Sequence, residues 1–433
     1  MIRFVRKCGL ALFLCLVLAA PAWGAGFGLY EYSARGNALG GTLVARADDP
    51  SALAYNPAGI TQLNGTRLMN GVAAIGPNAV IRTKYGANEW SNKGHDNIWW
   101  APHFYLTHQV NDDVYVGLGV FSRFGLGTEL DEWWPGRYNV YQVTVETLSF
   151  NPNVAVKLSD KLSLAVGLEA MQFTLNRWSK LDGRAFFGGG TAYDPTTTAM
   201  DIDEHQHAES WGFGGDIALH YKFDDQWSAG LVYRSQVRQD LGGTASYTYP
   251  ALVGAAMAGA GVSLFNDTNI NGKITLPDSL AAGLCYRPLD NLSLEATAVW
   301  TRWSSYDAYT IEYGSKGAVG RDELSSTKNW NDVMRYEFGV EYTPIPWLDL
   351  RASYILDQSP IPEDYADYML PTDDRQIVGL GFGVRYDNWT FDVSYNYLWM
   401  KQRDVGADGR TRYESSFNDS HAHIGGLSVS YKF

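Results

Sequence analysis

Alternation constrains this chain more than any other feature. Trp389, Phe391, Val393, Tyr395, Tyr397 and Trp399 share one parity, and Thr390, Asp392, Ser394 and Asn396 share the other. Leu348, Leu350, Ala352 and Tyr354 oppose Asp349, Arg351 and Ser353. Leu292, Leu294, Ala296, Ala298 and Trp300 oppose Ser293, Glu295 and Thr297. A period of two puts each set on its own face of a β-strand. The apolar face then has two possible neighbours. A soluble sandwich buries it against a second sheet, and a membrane barrel turns it outward to lipid.

The turns arbitrate. Short polar turns fall near 109–113, 159–161, 224–226, 288–291, 343–346 and 386–388. Longer connections fall near 83–97, 127–139, 179–208, 243–272, 313–329, 358–375 and 402–419. Six short turns alternating with seven long loops predict fourteen strands. An even count with short turns at one end is the pattern of a bacterial outer-membrane barrel. Strands of ~10 residues cross a bilayer when tilted, and no segment has the ~18 uninterrupted apolar residues of a spanning helix. Aromatic residues make up 14% of the chain, in keeping with the girdles of such barrels.

The two ends agree. Arg3, Arg6 and Lys7 precede an apolar run from Cys8 to Ala20, and Ala22-Trp23-Gly24 sets small residues at the −3 and −1 positions. Residues 1–24 read as a secretory signal peptide cleaved before Ala25. Its removal takes the formal charge from −13 to −16 and leaves Cys285 as the sole cysteine. No disulfide, cysteine metal site or other cofactor is expected, and an acidic chain is a poor partner for nucleic acid. At the far end, "GLSVSYKF" places Leu427, Val429, Tyr431 and Phe433 on one face. This resembles the signal read by the outer-membrane insertion machinery.

Residues 25–64 break the pattern. Asp49 suits an N-cap, Pro50 a first helical position, and Asn56-Pro57 a helix end. A fourteen-strand lumen is too wide for wall side chains alone to fill. The expected fold is therefore all-β: a 14-stranded antiparallel transmembrane β-barrel over residues 65–433, with an N-terminal hatch of short helices at 25–64.

"AGFGLYEYSARGNALGG", "NPAGIT", "ESWGFGGDIALHYKF", "YRSQV", "WTRWSSYD" and "LDQSPIPEDYADYMLPTDDRQIVGLGFGVRY" resemble the FadL family of outer-membrane long-chain fatty acid transporters. The resemblance covers essentially the whole mature chain. It implies passive uptake of hydrophobic molecules, captured by extracellular loops and released sideways at an inward kink of the third strand. It also implies that the hatch residues Asn56, Pro57 and Ala58 lie near that kink. The kink maps onto Phe121, Ser122, Arg123, Phe124 and Gly125. Some members of the family carry aromatic hydrocarbons, so the resemblance leaves the cargo open between these and fatty acids. Asn331 stands where the family's best-known pattern has a lysine.

The residues themselves point to greasy cargo. Burying a CH₂ is worth ~0.8 kcal/mol, which an aqueous pore does not supply. "YPALVGAAMAGAGVSLF" (249–265) is an apolar run within a long loop. Leu252, Val253, Met257, Val262, Leu264 and Phe265 form either a first acceptor surface or a loop helix packed on its neighbours. In the fifth strand Leu162, Leu164, Val166 and Leu168 face lipid, while Met171, Phe173 and Leu175 either carry apolar parity into the lumen beneath Arg177 or mark a strand that has left the bilayer and packs on loops. Arg177, Arg335 and Arg238 are the expected contacts for a carboxylate head, by parity and charge. "DIDEHQHAE" (201–209) reads as a solvated outer loop meeting the cations of lipopolysaccharide, since one stretch of mixed ligands makes a weak metal site. A general porin is the alternative, but it should have polar loops. An enzyme is not expected: there is no G-x-S-x-G elbow and no H-E-x-x-H. The chain reads as a monomeric outer-membrane channel whose partners are hydrophobic small molecules and the surrounding lipid.

Overall fold

The computed structural model describes residues 26–188, 190–315 and 322–433. The expected signal peptide lies outside these residues. One antiparallel sheet closes on itself, because the first strand (Thr66–Tyr85) pairs with the last (Glu414–Lys432) from Arg67 opposite Lys432 to Lys84 opposite Glu414. It has fourteen wall strands. The second is Trp99–Gln109, the fourth Gln142–Lys157, the fifth Leu162–Asp182 and the sixth Asp201–Lys222. Later come Leu348–Asp357, Arg375–Tyr386 and Trp389–Met400. The others are interrupted. The third runs Val114–Phe121 and resumes at Gly125–Glu129; the seventh runs Trp227–Arg234 and resumes at Val237–Thr248. The eighth to tenth break at 277–278, 302–307 and 328–332.

The barrel is inside-out. Asp392 and Asn396 are buried in the interior, whereas Leu168 and Phe213 are 71% and 74% exposed on the outer face. A sandwich would show the reverse, so lipid is the solvent this surface is built for.

The strands outrun the bilayer. The sixth has 22 residues, about twice what a tilted crossing needs. Residues 201–208 are therefore wall, not loop: Glu204 and Gln206 point inward and are buried, and Asp201, on the opposite parity, is buried against Arg137. The same correction applies to 179–182, 243–248 and 268–272, which lie within strands. Above the membrane both faces of a strand carry polar residues, so the alternation that marks the lower wall fades there.

Nearly all of residues 26–64 are buried inside the barrel. Ser33 caps a short helix at Ala34–Ala38, its hydroxyl accepting from Gly36 N–H at 3.0 Å. Gly40 and Gly41, at φ of 65° and 87°, make the tight reversal that follows. Asp49 sits ahead of the second helix (Ala52–Tyr55), and its carboxylate accepts from Ser51 N–H at 2.8 Å; the N-cap position itself is Ser51. Asn56 ends that helix in an extended conformation, and Pro57 opens a 3₁₀ turn through Gln62. Bonds from this segment reach the wall all round. Ala34 N–H donates to Ser428 Oγ at 2.8 Å, and Asn396 Nδ2 donates to Asn37 O at 2.9 Å. Asn56 Nδ2 donates to Leu219 O at 3.0 Å, and Tyr105 Oη donates to Tyr32 O at 2.7 Å.

Candidate functional site

The wall has a window. The second and third strands pair only from Phe104 opposite Val120 down to Gln109 opposite Tyr115. Above that level Trp99–His103 pair with the first strand alone, and Gly125–Glu129 with the fourth alone. Pro102, which has no N–H to offer, sits on this unpaired edge. Glu129 closes the window from above, its carbonyl accepting from His95 N–H at 2.9 Å and its carboxylate from Asn97 Nδ2 at 2.6 Å. Between the two levels, Ser122–Phe124 leave the strand.

The start of the hatch occupies the gap from inside. Leu29 N–H donates to Arg123 O at 2.8 Å, and Gly125 N–H donates to Phe27 O at 2.9 Å. These bonds satisfy backbone groups that the broken ladder would leave open. Glycine eases the approach at 125, where a Cβ would lie 3.1 Å from Leu29 Cδ1, and is required at 127, where a Cβ would run into the Trp99 ring. Phe27 fills a box of aromatic rings, with Trp303 at 4.8 Å, Tyr306 at 5.7 Å, Trp330 at 5.9 Å and Phe124 at 6.0 Å between centroids.

A cavity of about 730 Å³ passes through this window. Inward residues such as Phe27, Val145, Leu398 and Ile424 line it, as do Trp100, Leu148, Gln172 and Thr174 of the outward parity. Among the described residues, Arg375 is the one lysine or arginine on its lining. Its guanidinium donates to Gly26 O at 2.9 Å and Thr372 Oγ1 at 3.3 Å. Glu31 lines the same space. Burial pushes its carboxyl up from the ordinary value, against the pull of its own and Tyr30's backbone N–H and of Arg335 and Arg375. The arrangement offers a greasy groove with a two-signed polar end, open through the wall.

Residues 15–433 match the family of outer membrane protein transport proteins (OMPP1/FadL/TodX). This chain belongs to that family. Its members are outer-membrane transporters of hydrophobic compounds. The chain is 24% identical to the long-chain fatty acid transport protein of Escherichia coli (strain K12), over 99% of this chain and 98% of the relative. It is also 24% identical to the 47 kDa outer membrane protein of Pasteurella multocida (strain Pm70), over 96% of each. The fold superposes on a Pseudomonas aeruginosa FadL homologue with a TM-score of 0.81, at 20% identity over 94% of this chain and 100% of the other. The Pseudomonas putida toluene transporter TodX gives 0.68, at 19% identity over 94% and 99%.

Within this FadL-family barrel the sequence-derived residues scatter. Met171, Phe173 and Leu175 do face inward and are buried, but in one cluster with Val253, Met257 and Phe265. The apolar wall and the loop run thus belong to one buried cluster: residues 251–260 form a helix at the long-loop end of the barrel. Leu264 is half-buried against that cluster, and Leu252 and Val262 stay exposed. Arg177 is buried and pairs with Glu204 at 3.4 Å. Arg335 pairs with Glu337 at 2.6 Å, stacks 5.3 Å over the Tyr30 ring, and lines a separate, smaller cavity. Arg238 is a correction. It points outward, 60% exposed, beside Asp240, because the break at Ser235–Gln236 inverts the parity that Arg234 sets.

Of the kink residues, Ser122, Phe124 and Gly125 line the cavity. Phe121 is buried against Tyr32 and Tyr105, and Arg123 is buried against Glu169. Asn56 Nδ2 bonds Val44 O and Leu219 O, which sets the Asn-Pro-Ala stretch against the sixth strand; the hatch residues bonded to the kink are Phe27 and Leu29. Ala58 is fully buried. Sequence reasoning missed Arg375. It opens its strand directly after Asp373-Asp374, so no alternation precedes it to fix its parity.

Proposed function

We propose that this protein is a passive channel for amphipathic hydrophobic molecules, with long-chain fatty acids as cargo, and that they leave sideways through the window. The observation that carries the reading is one continuous cavity running from the buried core through an unpaired stretch of wall, with an arginine on its lining. An acyl chain gains ~0.8 kcal/mol per CH₂ against the apolar walls, and its carboxylate takes a charge-assisted bond from Arg375. Release into lipid spares the chain a passage through the charged hatch. The filled lumen speaks against a general porin.

A second reading, monoaromatic cargo, draws on the ring box around Phe27 and on the toluene transporter among the similar folds. Oleate and toluene uptake, measured in cells lacking their own transporter, separates the readings. Gly125→Phe, whose ring runs into Leu29, should sharply cut oleate uptake while the barrel still assembles. Unchanged uptake would sink sideways release. We also take residues 1–24 as a cleaved signal; the mass of the outer-membrane form should correspond to a start at Ala25.

A further inference from the structure

Up the outer face beside the window, apolar side chains stop at one level. On the fourth strand Phe150 and Leu148 give way to Glu146, and on the fifth Leu168 and Ala170 give way to Gln172 and Thr174. Glu146 and Gln172 stand about ten residues above the feet of their strands at Lys157 and Leu162, which at a tilt of ~40° is about 25 Å, the height of a lipid-facing band. The cavity that crosses the wall has both kinds of residue on its lining: Trp100 and Leu148, and Glu146, Gln172 and Thr174. Its mouth therefore straddles the upper edge of the hydrocarbon. A molecule leaving there slides its tail into the outer leaflet while its head stays among polar groups, so the charge of the head is felt at the mouth.

One free charge stands at that mouth. Glu146 lies directly opposite Gly125 in the ladder, is exposed on the outer face, and has no hydrogen-bond or ion-pair partner among the described residues. The other carboxylate there, Glu129, is engaged by His95 at 3.0 Å and Asn97 at 2.6 Å. Deeper in the same cavity Arg375 supplies the positive charge. A carboxylate held at Arg375 must thus pass a free carboxylate to reach lipid, whereas an uncharged head meets no such barrier. We propose that Glu146 selects cargo at the exit, slowing anionic head groups and passing neutral ones of the same chain length. This selector rests on the sideways release proposed above and names what the window discriminates.

The test is a charge series read with two cargoes. Initial uptake of oleate and of oleyl alcohol is measured at mildly alkaline pH in cells lacking their own transporter. The cells carry the wild type, Glu146→Gln or Glu146→Lys, and rates are normalised to the amount of assembled barrel. Oleate uptake should rise about threefold from wild type to Glu146→Gln and about threefold again to Glu146→Lys. Both steps should shrink in raised salt. Oleyl alcohol uptake should stay at the wild-type rate throughout. A flat oleate series overturns the selector. So does an equal rise for both cargoes, because the substitutions would then be widening the mouth. Should Glu146→Lys assemble poorly, Glu146→Gln decides on the same threefold criterion. Gly125→Phe, run alongside, separates the selector from the reading beneath it. If it blocks uptake while the oleate series is flat, the exit stands and the selector falls; if it leaves uptake intact, sideways release falls and the selector with it.

Discussion

The lumen is two different interiors on one wall. Toward the short turns the hatch is held by charge. Glu341 accepts from Arg35 Nε at 3.1 Å and Arg351 Nε at 2.6 Å and also from Arg46, while Arg46 reaches Glu295 at 3.1 Å. Toward the long loops the same barrel is filled with Met171, Phe173, Val253, Phe265, Trp303 and their neighbours. Ion pairs have one good geometry and resist sliding, whereas apolar contacts exchange partners at little cost. The contacts of the lower half therefore resist sliding, and those of the upper half can exchange more readily.

The largest expected effect falls on the charged half. Glu341→Ala leaves three arginines buried around a missing carboxylate, at a cost of about 3–5 kcal/mol. The urea midpoint of the refolded barrel should drop accordingly. Bilayer conductance should rise as the hatch loosens, while oleate binding in the upper cavity changes little. An unaltered midpoint would mean that the ion pairs do not hold the hatch.

Next comes the polar end of the cavity. Arg375→Gln removes the charge from the lining and should weaken fatty acid binding by about 1.5–3 kcal/mol, tenfold or more. Toluene binding should be untouched. Equal loss of both ligands would mean that the substitution collapses the cavity rather than removing a contact.

The difference between the halves also decides what could be read from the chain. Around Trp389–Trp399 and Leu348–Tyr354 one face meets lipid and the other the lumen, so the pattern names both strand and side. The window's place came from the family resemblance; the structure then shows why Gly125 and Gly127 stand there, since they let Leu29 and Trp99 come close. Parity failed where the backbone stops being a regular ladder. One break at Ser235–Gln236 sent Arg238 outward, and the two aspartates ahead of Arg375 hid an inward arginine. That 249–265 and the fifth strand share one core was not legible either: both runs are apolar, but only the closed barrel brings them together.

Glu31 gives a smaller effect of opposite sign. Its carboxyl lines the cavity with Arg375, and burial raises its pKa. Above that raised value it is charged and repels a carboxylate cargo; as pH falls through it, the repulsion disappears. Fatty acid binding to the wild type should therefore tighten as pH falls through that raised value. Glu31→Gln should bind tighter than the wild type above that raised value and lose the slope. A variant that keeps the wild-type slope would place the titrating group elsewhere.

The smallest effect tests the boundary between wall and lumen. Arg238 reads as a lumen cation if the seventh strand is counted straight through, and as an outer one if the break at Ser235–Gln236 inverts it. The structure pairs it with Asp240 at 3.1 Å, with both side chains more than half exposed. An exposed pair of this kind contributes about 0.2–1 kcal/mol at most and is screened by salt. Arg238→Gln should thus leave fatty acid affinity and uptake at wild-type values and move the unfolding midpoint only slightly, less so at high salt. A loss of affinity on the scale expected for Arg375→Gln would put this guanidinium back inside, and with it the parity of everything above the break.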